Sequence, residues 1–276
     1  MAASVVFTIT AGNAGENHAG MEMIGTKWAA GMGHTVADLE AFQETFTKTG
    51  ATTELVYLSK GLPDLPPAAV LVIKKGVDVL LGAGAKEALF AEQAALKKDE
   101  KAFMRGRVVN KKARHNLCFA AEGHPPDYEA GKGTVVAYRD VPHTKALIEA
   151  MEATFTTKGL PGLIAEGNYY YDLKKCGIGF HGDKERVVVY AARLGAPMPL
   201  HFQWFHRSEP LGERMVIPLE DGDVYIMSEK AVGADWMCSS KKTLRHATGC
   251  PAFTTIKPKK KKEVVAVGGA GAPPAE

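Results

Sequence analysis

From Arg107 onward the chain is cut into short stretches of β-branched and aromatic residues, each bounded by Gly, Pro or Asp. This texture constrains the fold more than any other feature. The stretches at 107–109, 116–120, 134–138, 164–172, 177–181, 186–194, 200–206, 214–219, 223–228 and 253–257 read as strands. Their residues fit a pleated surface, and the punctuating residues supply the turns. Strands this short and this evenly spaced bury their apolar faces by closing into a sandwich or barrel. One helix interrupts them, from about Pro142 to Lys158. Leu147, Ile148, Met151 and Phe155 share one of its faces, and Gly159 stops it. Such a helix packs on the outside of one sheet.

The first hundred residues have a different pattern. Residues 5–10 (Val-Val-Phe-Thr-Ile-Thr) read as a buried strand, and Gly12 to Gly33 as a Gly-rich loop with a short helix. Thr35 to Lys48 has a capping-box start at Thr35 and Asp38, an apolar face of Val36, Leu39, Phe42 and Phe46, and a stop at Gly50. Strands follow at 53–58 and 69–74, then a second helix over Lys86 to Phe103. The expected organisation is an N-terminal α/β extension over 1–104 and a β core over 105–257, making an α+β chain with helices packed on one sheet. Residues 258–276, rich in Lys, Gly, Ala and Pro, form an expected disordered tail.

Composition excludes several classes. Apolar residues make up 46% of the chain, enough for a sizeable core, yet no run of 18 apolar residues is present, so no membrane partner is expected. The first residues lack the basic stretch of a signal peptide. The four cysteines form no CxxC pair, which argues against a disulfide framework and a structural zinc site and for an intracellular location. The net charge of +3 is concentrated in Lys257-Pro-Lys-Lys-Lys-Lys262, without which the chain is slightly acidic. That block reads as a nuclear address, a phosphate-contacting arm or a solvated tail, and the first would make the location nuclear rather than cytoplasmic.

Chemistry concentrates in Phe180-His181-Gly182-Asp183. Residues i and i+2 of a strand point to one side, so His181 and Asp183 can reach one metal ion together. Of nine histidines, only His181 has Asp two places on. A second histidine, His246, lies far downstream in Thr-Leu-Arg-His-Ala-Thr-Gly at an expected strand end; His201 and His206 are the alternatives, set close after Asp183. Two histidines and one carboxylate on one face of an octahedron leave three positions open, the arrangement of non-haem iron oxygenases. Asn168-Tyr-Tyr170 precedes the triplet with Asn168 and Tyr170 on one face, and Gly222-Asp223 turns into a strand ending at Met227.

Taken together, Asn168-Tyr-Tyr170, Cys176-Gly-Ile-Gly-Phe-His-Gly-Asp183, Leu194-Gly195, Gly222-Asp223 to Met227 and His246 resemble the AlkB-like family of 2-oxoglutarate dioxygenases, over roughly residues 105 to 257. The resemblance implies a double-stranded β-helix (jelly-roll) core. It implies His181, Asp183 and His246 as ligands of Fe(II), with 2-oxoglutarate and O₂ as co-substrates. Asn168 and Tyr170 would hydrogen-bond the 2-oxoglutarate carboxylates, and Glu185 would meet the substrate. The family closes with an Arg-x-Asn-x-x-x-Arg strand, whereas no Arg follows His246 here. Lys257 is the expected anchor of the far carboxylate, with Lys259, Arg193 and Arg214 as alternatives. The substrate implied is a nucleic-acid base, in single-stranded or flipped-base DNA or RNA; the alternative is the same chemistry on a protein side chain or small metabolite. A basic groove of Arg114, Lys184 and Arg186 beside Glu185 would favour nucleic acid. Trp204 and Trp236 read either as stacking platforms or as core.

Overall fold

The computed structural model describes residues 5–62, 64–155 and 162–256. Lys257 and the 258–276 tail therefore lie outside the described residues. The chain is α+β, with sheet dominating. The larger sheet has eight strands. Their order is β4 (Thr53–Tyr57), β5 (Ala69–Ile73), β15 (Val224–Met227), β12 (Val189–Gly195), β1 (Val6–Gly12), β10 (Ile164–Tyr170), β8 (His115–Ala120) and β9 (Val135–Ala137). Every neighbouring pair is antiparallel except β8 with β9. The smaller sheet is antiparallel throughout, ordered β11 (Gly177–His181), β16 (Lys242–Gly249), β13 (Leu200–His206) and β14 (Glu209–Ile217). Two ribbons, β2 (Ala14–Glu16) with β3 (Met23–Gly25) and β6 (Lys101–Met104) with β7 (Arg107–Asn110), complete the strands.

The two-residue period of the strands builds three layers. On β12, Tyr190, Ala192 and Leu194 pack against four helices: α1 (Val36–Lys48), α2 (Gly76–Leu81), α3 (Ala85–Ala95) and α4 (Pro142–Phe155). Leu39 and Phe42 of α1 and Leu147 and Met151 of α4 are buried in that layer. The intervening Val189 and Ala191 point the other way, onto Phe202, Trp204 and Leu244 of the smaller sheet. Trp204 is fully buried there and donates from Nε1 to the Leu58 carbonyl at 2.7 Å, so it is core. The capping box on α1 is formed as expected: Asp38 N–H donates to Thr35 Oγ1 and Thr35 N–H to the Asp38 carboxylate. Thr35→Ala should cost about 1 kcal/mol and lower the melting temperature by about 2–4 °C, measured by thermal denaturation; an unchanged midpoint would show that α1 is held by packing alone.

Four expectations require correction. The boundary at residue 104 is no break in the fold, because β1 sits between β12 and β10 in the middle of the larger sheet and β4 and β5 extend it. The helix over 86–103 ends at Ala95, where the Lys98 ammonium donates to the Leu96 carbonyl and caps the helix end, freeing 101–104 to form β6. Residues 12–33 hold the β2–β3 ribbon and no helix. Of the strand expected over 253–257, Phe253 and Thr254 instead end the short helix α6 (Pro251–Thr254), started by Pro251 at its first turn, and residues 255 and 256 are in no strand.

Candidate metal centre

β11 and β16 are neighbours in the smaller sheet, and His181 and His246 are direct cross-strand partners. His246 thus lies within a strand rather than at its end. A register shift between Ile178 and His181 marks where β11 irregularly leaves the ladder. The turn that follows needs glycine: a Cβ on Gly182 would stand 2.0 Å from the Gly233 carbonyl oxygen. Asp183 N–H donates to the Val232 carbonyl at 3.0 Å, at the end of helix α5 (Glu229–Val232). This contact returns the Asp183 side chain to the His181 side of the sheet.

Asp183 Oδ1 stands 3.5 Å from His181 Nε2 and 3.6 Å from His246 Nε2, and one ligand atom from each residue lies within 4.8 Å of the others. Two donors bound at right angles to one first-row ion, each roughly 2.1 Å from it, are about 3 Å apart, so small inward rotations close this set on an ion. His181 Nδ1 faces the Gly179 carbonyl at 2.8 Å and the His246 carbonyl at 3.1 Å. Carbonyls only accept, so Nδ1 carries the proton and Nε2 keeps its lone pair. Burial, reinforced by His246, pushes the His181 imidazole down to about 4. For Asp183, burial acts to raise the carboxyl, but Arg186 and the two imidazoles outweigh it and hold it below the usual range. Neutral imidazole and ionised carboxylate are the forms that bind a cation. His201 and His206 are not in the cluster, which among the described residues comprises His181, Asp183 and His246.

A cavity of about 620 Å³, lined from both sheets, holds this cluster together with Asn168, Tyr170 and Glu185. Asn168 is engaged by protein: Arg114 Nε donates to its Oδ1 at 2.5 Å, and its Nδ2 donates to Glu166 at 3.3 Å. Tyr170 is almost wholly buried, and burial raises its phenol. Glu185 accepts from Arg186 at 3.0 and 3.2 Å, and burial pushes its carboxyl up. Arg193, on the inner face of β12, has no solvent exposure. Its Nη1 donates to Thr8 Oγ1 of β1 at 2.5 Å, while Nε and Nη2 have no partner among the described residues. Arg214, the other arginine considered, is exposed and stacks on Phe180. Thr8 and Glu166 were not anticipated as site residues. A signal existed for Thr8, since Thr8 and Thr10 alternate with Phe7, Ile9 and Ala11, marking a wet face on a central strand.

No family model matches the chain. It is 44% identical over 251 residues to the uncharacterized protein R156 of Acanthamoeba polyphaga mimivirus, an overlap of 89% of this chain and 96% of that protein. The chain belongs to the same family as that viral protein.

Proposed function

We propose that this protein is an Fe(II)- and 2-oxoglutarate-dependent dioxygenase of the AlkB-like kind, built on a double-stranded β-helix. The winding supports the architecture: β10, β12 and β15 lie in the larger sheet, and β11, β13–β14 and β16, which alternate with them in sequence, lie in the smaller one. The position beside β10 and β12, which a last strand would fill in such a core, is taken by β1. The observation that carries the chemistry is the convergence, in one cavity, of a His-Asp-His cluster and a fully buried arginine, two of whose nitrogens have no partner among the described residues.

His181, Asp183 and His246 would hold the iron and leave open positions toward the cavity. Bound iron would activate O₂, the oxidant, so that 2-oxoglutarate is converted to succinate and CO₂ with one oxygen atom and the other enters a substrate C–H bond. Arg193, oriented by Thr8, takes the anchoring role assigned in sequence to Lys257. A guanidinium grips a carboxylate through two N–H groups, and Nε and Nη2 form such a pair. Tyr170 and Tyr225, both buried, wall the same cavity and keep water from the reacting centre.

The substrate we assign is a nucleic-acid base carrying an alkyl group, presented singly, whose hydroxylated N-methyl would leave as formaldehyde. Glu185 supports this as an acceptor for an exocyclic amine, and Arg114 and Lys184 support it as cations lining the same cavity. Arg186 does not join them, being buried and committed to carboxylates. Among the described residues no helix is long and apolar enough to cross a membrane. The test is succinate release by the purified protein with Fe(II), offering methylated single-stranded DNA, methylated RNA and peptide pools. Stimulation by a nucleic acid is expected. Stimulation by the peptide pools alone would keep the chemistry and replace the substrate, and no succinate under any condition would end the proposal.

A further inference from the structure

Three carboxylates surround one buried guanidinium beside the metal cluster. Arg186 is 3% exposed. Its Nη2 donates to Glu166 at 2.8 Å and to Glu185 at 3.0 Å, and its Nε lies 3.7 Å from Asp183 Oδ2. Asp183 therefore has its two oxygens divided. Oδ1 faces both histidine Nε2 atoms, and Oδ2 faces the guanidinium.

We infer that Arg186 is a positioning residue that holds Asp183 as a one-oxygen metal ligand, and that Glu166 of β10 in turn holds Arg186. The inference rests on the metal-centre reading above. Glu166 is itself fixed, its Oε1 accepting from Asn168 Nδ2 at 3.3 Å and from Asn116 Nδ2 at 3.5 Å. The larger sheet thereby reaches across to orient a ligand carried by the smaller one. Glycines at the end of β1 and in β2 also lie against the arginine. A Cβ on Gly12 would meet the Val188 carbonyl oxygen at 2.5 Å and Arg186 Cδ at 3.2 Å, and one on Gly15 would meet Ile164 Cδ1 at 2.8 Å and Arg186 Nη2 at 3.4 Å. Charge balance agrees: with all three carboxylates ionised the cluster is two charges negative, the deficit a divalent ion fills. Partners that orient a ligand are worth roughly 10–100-fold in metal affinity.

The experiment is titration of the full-length protein with Co(II), read by calorimetry and by the visible absorption spectrum of the bound ion. Arg186→Met should weaken Co(II) binding by about 10–100-fold and change the spectrum, because Asp183 is free to turn both oxygens to the ion. Arg186→Lys, which keeps the charge but not the fork, should recover part of the affinity. An Arg186→Met protein that melts cooperatively and shows wild-type affinity and spectrum would overturn the inference. Should that variant fail to fold, Arg186→Lys decides: a wild-type spectrum and affinity would overturn it equally. If the unmodified protein takes up no Co(II), the metal centre itself is wrong and this role falls with it; wild-type uptake with indifferent variants removes only the role of Arg186.

Discussion

Asp183→Ala should abolish tight metal binding, lowering Mn(II) or Co(II) affinity by more than about a hundredfold and stopping succinate release. A ligand oxygen lost outright must cost more than the 10–100-fold typical of residues that only orient ligands. Two features make the variant informative. Asp183 is the shared neighbour of both imidazoles, each within 3.6 Å, so its removal leaves the histidines without the anion that draws a cation between them. The fold should survive, because Arg186 keeps Glu166 and Glu185 as partners. His181→Ala should do the same to metal binding through loss of the Nε2 donor. Calorimetric titration with circular dichroism as the control checks both, and full metal occupancy with turnover in either variant would dismantle the proposed centre.

Arg193→Met should do two things that oppose one another. It should raise the apparent constant for 2-oxoglutarate by about tenfold or more, since a charge-assisted hydrogen bond to a carboxylate is worth roughly 1.5–3 kcal/mol. It should also raise the melting temperature of the ligand-free protein by a few degrees. The guanidinium is fully buried, and two of its nitrogens are unpartnered among the described residues. An unmet buried donor costs about 1–3 kcal/mol, and a methionine of similar length removes that cost. A protein that becomes more stable as it loses its co-substrate is the signature of a residue kept for binding. If Arg193→Met leaves the 2-oxoglutarate constant unchanged, the anchor lies elsewhere. If it is simply destabilising, Arg193 serves the core.

Local pattern made the strands and the triplet legible, and distance hid the rest. The strands over 189–195 and 200–206 show in the sequence as short runs of apolar and aromatic residues, β12 being buried on both faces, and His181 and Asp183 announce themselves by their i, i+2 spacing. The apolar run at residues 5–10 reads as a strand equally well, but nothing local says that its partners are Ile164–Tyr170 and Val189–Gly195. Arg193 sits in an apolar run and looks like a strand end; only the parity it shares with Val189 and Ala191 turns it inward. The helix expected over 86–103 failed at Lys98, whose long side chain folds back onto carbonyls, a contact that charge counting assigns to solvent. Phe253 to Ile256 carried strand-forming residues, but Pro251 set the local backbone first.

The central place of β1 has a consequence for how the protein is made. The ribosome produces Val6–Gly12 long before Ile164–Tyr170 and Val189–Gly195, the two segments that flank it in the sheet. Until then an apolar strand carrying Thr8 waits with both edges unpaired, exposed to other nascent chains. Inserting it closes a very long loop, so folding is governed by chain closure rather than by local helix formation. Arg193 gains its Thr8 contact only when that loop closes. Competence to bind a dicarboxylate should therefore appear in refolding only once β1 has paired with β12, and its appearance would time that closure.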